Sequence, residues 1–114
     1  MKRLQIKMDD PIFPPGVAKT AWAPITISPS GIACQAELWL GPNVTTKIAT
    51  SGLKPFTSTG LAQTISFPIT MPSAGGIAYH VYLDVYVAGV LFLAYVATDD
   101  VVIPSGSVGP ISWA

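Results

Sequence analysis

His80 is the only histidine in the chain and Cys34 the only cysteine, and that inventory limits the chemistry available. A Ser-His-Asp or Cys-His arrangement needs a base held beside its nucleophile, so any such site must be built on His80. An extended segment places His80, Tyr82, Asp84 and Tyr86 on one face, because side chains alternate across a strand. That face reads as a solvated or interface-facing sheet surface on which His80 and Asp84 can pair. Zinc takes three or four ligands, mostly His and Cys, and one of each falls short. The pairs Asp9-Asp10 and Asp99-Asp100 sit in turn regions, where adjacent carboxylates usually point apart rather than into a common cleft. Such carboxylates can contribute to a Ca²⁺ loop, but their ordinary role is to blunt strand ends and keep sheet edges soluble. The residues therefore lead to no catalytic, cofactor-binding or metal assignment, and the expectation is a protein that is not an enzyme and carries no cofactor.

The aromatic residues are more suggestive. Trp22, Trp39, Tyr82 and Tyr86 fall opposite the apolar faces of their segments. Aromatic rings on an outward sheet face pack against another subunit or stack on a sugar. With Ile12 and Phe13 near the start, and Ile111 and Trp113 near the end, they form the candidate interface set. Cys34 reads as a small buried hydrophobe. Asn43-Val44-Thr45 matches a glycosylation sequon but reads more simply as a turn.

The elements that must position these residues are strands. No segment shows helical periodicity, and Gly and Pro together number 21, from 10 and 11, spread along the chain so that short strands fit between them. Residues 3–8 alternate, with Leu4, Ile6 and Met8 on one side, and the proline-rich stretch 9–16 follows as a rigid connector. Residues 18–28 place Ala21, Ala23, Ile25 and Ile27 on one face, with Pro24 indicating an edge position or a bulge. Residues 32–40 turn Ile32, Cys34, Ala36, Leu38 and Leu40 inward. A shorter strand is expected over 44–50 and a loop over 52–60. The clearest alternation puts Leu61, Ile65, Phe67, Ile69 and Met71 on one face, and a one-residue slip would lose all of that burial. Residues 77–87 follow, then a tight Ala88-Gly89 hairpin, a strand over 90–98 and a last one over 101–103. Seven to eight short strands without a helix give an all-β, immunoglobulin-like sandwich. The organisation is an N-terminal arm over 1–16, the sandwich over 17–103 and an extended tail over 104–114.

The 114 residues support one core, and only 11% are charged, with net charge zero. Mean hydropathy is +0.52. This is not the composition of a disordered chain. The longest apolar run, 85–97, is interrupted by Gly89 and is too short for a transmembrane helix. Six Lys or Arg and a pI near 6.5 leave no electrostatic footprint for nucleic acid. Lys2 and Arg3 are not followed by the apolar stretch of a secretory leader. So few charges favour association, which suggests a subunit whose apolar surface is covered by neighbours.

The blocks AELWLG (36–41), ISFPITMPSAGGIAYHVYLDVYVAG (65–89) and DDVVIP (99–104) resemble bacterial immunoglobulin-like modules of the cell-adhesion-related, CARDB-like type, over roughly residues 18–103. Tyr79 stands where such sandwiches carry a tyrosine corner. The resemblance implies a sandwich used in adhesion, spacing or assembly and assigns no site residues; similar modules also decorate phage capsids and tails. The leading expectation is a phage or virus-like-particle structural protein at the virion surface, either a capsid decoration protein or a minor surface or tail subunit. Its partners would be copies of itself or a major capsid protein, contacted partly through both terminal arms. The alternative is an extracellular adhesion module that binds protein or carbohydrate.

Overall fold

The structure is a computed structural model and describes residues 10–114; the strand expected over 3–8 lies outside them. Eight strands follow in order: β1 (Ala18–Thr26), β2 (Ala33–Gly41), β3 (Ala49–Thr50), β4 (Lys54–Thr57), β5 (Ala62–Thr70), β6 (Ile77–Val87), β7 (Val90–Val96) and β8 (Val101–Ile103). They form two open antiparallel sheets. Among the described residues, one holds β1 and β5; the other is built on β3-β2-β6-β7, with β4 also paired to β2 and β8 to β6. The protein is all-β, as the alternation requires.

Apolar residues of period two meet between the sheets. Ile25, Ile27, Phe67, Ile69 and Met71 come from the two-stranded side. Cys34, Ala36, Leu38, Leu40, Tyr79, Leu83, Val85, Val101 and Ile103 come from the other. Phe67 and Ile103 have no exposed surface. Burying large apolar side chains like these contributes about 1.5–3 kcal/mol each. Leu61 departs from the expected inward set. It precedes the first paired residue of β5 and is exposed.

Two other segments differ from the sequence reading. The strand expected over 44–50 contracts to Ala49–Thr50, because the chain turns at Asn43 instead. There the Thr45 amide and hydroxyl both donate to Asn43 Oδ1, at 3.0 and 2.8 Å. The sequon is an Asx turn. The loop expected over 52–60 contains β4, which pairs with β2 through Ala33↔Thr57 to Ala36↔Lys54. Pro55 is tolerated because β4 has a partner on one side only. Pro24 is likewise on an edge, since β1 pairs with β5 alone.

The β6–β7 hairpin turns at Ala88 and Gly89, with φ of 50° and 77°. Left-handed φ at both central residues is the type I′ pattern that suits the twist of the flanking strands. Before β6, the Tyr79 hydroxyl donates to the Ala74 carbonyl at 3.1 Å, tying the strand to the loop that leads into it.

Residues 11–13 lie along the outer edge of β8. Ile12 bridges Val102 in parallel, the Val102 amide donates to Pro11 O at 2.9 Å, and the Phe13 amide donates to Val102 O at 3.1 Å. This stretch of the N-terminal arm is therefore bound to its own sandwich, because β8 offers it an unpaired edge.

Candidate functional site

Three surfaces bear on function: the outer face of β2 and β6, a cleft beside β1 and β5, and the edge formed by β7.

On the outer face, the strand register sets Glu37 opposite Asp84, Trp39 opposite Tyr82 and Gly41 opposite His80. The Trp39 and Tyr82 rings stack with centroids 4.2 Å apart, and the Trp39 indole N–H donates to Asp84 Oδ2 at 3.0 Å. Lys47 Nζ sits 5.4 Å from the Trp39 ring centroid and 2.6 Å from Glu37 Oε1, while the Thr50 hydroxyl donates to the other Glu37 oxygen. Burial alone would push the Glu37 carboxyl up. The hydrogen bonds from Lys47 and Thr50, with the Lys47 charge, outweigh it and hold the group below the ordinary carboxylate range. Lys47 is raised in turn, first by its bond to Glu37, against partial desolvation. Farther along, His80 Nδ1 lies 2.9 Å from Asp100 Oδ1, and the Asp100 amide donates to Asp10 Oδ1 at 3.1 Å. Asp84 thus bonds Trp39, and His80 pairs with Asp100.

This face is covered by the chain itself. Trp39 is 4% exposed and Tyr82 6%. The segment after β2 folds back beside it, with the Ile48 amide donating to Leu40 O at 2.8 Å. The alternation does set Trp39 and Tyr82 opposite the inter-sheet core, but they line a second, smaller buried layer. Its polar atoms bond β2 to β6 through Trp39 and Asp84, and tie the segment after β2 to Glu37 through Lys47 and Thr50.

A depression of about 880 Å³ runs beside β1, β3 and β5 between Ala18, Thr50, Pro68 and Ser73. Among the described residues, Lys19 is the one ionisable side chain in its lining, too little for general acid–base work. Among the described residues no group of three His, Cys, Asp or Glu is placed to hold a metal ion.

The third surface is of another kind. Every residue of β7, Val-Leu-Phe-Leu-Ala-Tyr-Val, is exposed, and its large side chains range from 44% at Leu93 to 68% at Val90. Among the described residues, β7 pairs with β6 on one side and ends the sheet on the other. Register with Leu83 and Val85 turns Tyr95 and Leu93 toward the sandwich interior, with an irregularity at Val85/Tyr86. The two-stranded sheet does not extend over them. An apolar groove of about 380 Å³ remains there, lined by Ala23, Pro24, Ile25, Thr26, Leu83, Val85, Leu93 and Tyr95.

The expected interface residues are scattered relative to this groove. Trp22 is exposed on β1, and Ile12 on the β8 side. Phe13 is partly buried against the core, with Lys19 Nζ 5.2 Å from its ring centroid. Tyr86 is half-buried on β6, while Ile111 and Trp113 are exposed in the tail. Sequence reasoning passed over Val90, Leu91, Leu93 and Val96. Their signal was a strand with no polar position on either face, the pattern of a strand buried on both sides.

Comparison with protein-family models, with curated proteins and with solved structures returned no match.

Proposed function

We propose that this protein is a non-catalytic structural subunit that joins its neighbours through β7. One observation carries the reading: a strand with the composition of a doubly buried strand stands at a sheet edge with all seven residues exposed. Natural edge strands are protected by charges, prolines, bulges or covering loops. β7 has no charge and no proline, and the irregularity in its pairing at Val85/Tyr86 leaves all seven residues exposed. An apolar strand of this kind is a joint. The low overall charge agrees, since it gives little repulsion between copies. The setting we favour is the surface of a phage or virus-like particle, as a capsid decoration protein or a minor surface or tail subunit. There the sandwich buries apolar area at subunit contacts and presents its polar faces outward.

The test is native mass measurement and sedimentation of the full chain across micromolar concentrations, alone and with any particle that copurifies. Self-association or particle binding that is lost in Phe92→Lys/Val96→Lys, with thermal stability retained, supports the reading. A wild-type chain that stays monomeric throughout and binds no particle overturns it.

A second reading, an extracellular immunoglobulin-like module that binds protein or carbohydrate, draws on Trp22, which is 67% exposed, and on the Tyr79–Ala74 bond. Glycan binding abolished by Trp22→Ala would favour it.

A further inference from the structure

Among the described residues no strand fills the groove beside β7, and the chain carries a segment suited to be one. β7 and β8 run in the same direction, both antiparallel to β6, β7 beside Tyr82–Val87 and β8 beside Ile77–Tyr79. The chain therefore leaves β8 at the end of the sandwich away from the β6–β7 hairpin. Residues 104–114 continue from there, all exposed, with Val108, Ile111 and Trp113 between 77% and 92%. Among the described residues, no hydrogen bond ties 106–114 to the sandwich. An extended segment of this length reaches up to about 36 Å, and none of its residues lines the groove of its own sandwich.

We infer that the C-terminal arm of one copy adds to β7 of a second copy as a new edge strand, with Ile111 and Trp113 seated in the groove between β1 and β7. This rests on the assembly reading above and names the occupant of that joint. Three features match. Ile111 and Trp113 are two residues apart, so in an extended strand both side chains face the same way, about 7 Å apart, toward Ile25, Leu93 and Tyr95. Pro110 alternates with them. When 111 and 113 bond to β7, the position of its missing N–H falls on the edge facing away, where a strand tolerates proline. Charge is the third feature: neither the described groove lining nor residues 104–114 include an Asp, Glu, Lys, Arg or His, so docking there desolvates none of these side chains. Leu93, 44% exposed, and Tyr95, 58% exposed, are the β7 side chains such a joint would cover on the groove side. Each copy gives an arm on one side and receives one on the other, so the contact is heterologous and builds rings or filaments.

The experiment uses two full-length variants. Ile111→Ser/Trp113→Ser disables the arm at exposed positions and leaves the sandwich intact; Leu93→Lys/Tyr95→Lys disables the groove. Wild-type chain should assemble beyond a dimer, and the arm variant should associate at least about 30-fold more weakly. Mixing the two variants should restore one working joint and give one-to-one pairs that grow no further. Assembly of the arm variant at wild-type strength overturns the arm as the joint and leaves assembly through β7 standing. A wild-type chain that never associates overturns both. Should the groove variant fail to fold, the arm variant alone decides the matter.

Discussion

Trp39 stacks on Tyr82 with ring centroids 4.2 Å apart and planes inclined by 23°, and the Trp39 indole bonds Asp84 on the same neighbouring strand. The pair locks β2 to β6 on the face away from the inter-sheet core, so the central strands are held on both sides. An aromatic pair of this kind adds about 0.5–1.5 kcal/mol beyond the area it buries.

Trp39→Ala should lower unfolding free energy by about 3–5 kcal/mol, the range for truncating a buried aromatic. Trp39→Phe keeps most of the stack but leaves the Asp84 carboxylate without its donor, and should cost about 1.5–3 kcal/mol. Urea denaturation followed by circular dichroism measures both. An unchanged midpoint for Trp39→Ala would show that the outer layer contributes nothing.

Glu37 is held below the ordinary carboxylate range in the folded protein. Its contribution to stability is therefore fully present above that range and is lost as pH falls through the lowered folded value. Lys47 has the opposite sign: with a raised folded value, its contribution is lost only as strongly alkaline pH passes that value. Glu37→Gln should be less stable than wild type at neutral pH, with the gap closing in acid. Parallel pH dependences for the two proteins would contradict this.

Gly41 ends β2 at a close approach. A Cβ built there would fall 1.9 Å from the Thr46 carbonyl oxygen and 3.0 Å from the Trp39 ring. The turn that caps the outer layer must shift to admit any side chain. Gly41→Ala should cost about 1–3 kcal/mol or more, the usual range for overpacking. Its effect should fall below additivity with Trp39→Ala, because the two sites are in contact.

Tyr79→Phe removes only the hydroxyl that donates to Ala74. The ring stays buried, so the loss should be about 1 kcal/mol, read as a lower denaturation midpoint with unchanged slope. An equal slope matters, since it shows that the folded surface is the same.

The assignment of elements was largely legible because period-two patterns dominate where one face is buried. Phe67 and Ile69 on β5, Met71 just past its end, and Tyr79, Leu83 and Val85 on β6 are core residues for that reason. Two short segments were not legible. Asn43 captures its own turn and shortens the following strand, and the β4 segment reads as loop because of Pro55, yet β2 accepts it at an open edge. The covering of Trp39 was also out of reach, since alternation reports which face a side chain takes but not whether something folds over that face.

By itself, then, the sequence determined an all-β sandwich, the inward sets of its long strands and the scarcity of groups able to do chemistry, because these follow from local alternation and inventory. Only the tertiary structure decided where exposure falls. Local pattern marks β7 as a strand buried on both faces; topology puts it at the rim of a six-stranded sheet opposite a sheet of only two. Burial is a property of what lies across from a strand, and a strand's own residues do not encode that. The contradiction between its composition and its place directs attention to the joint.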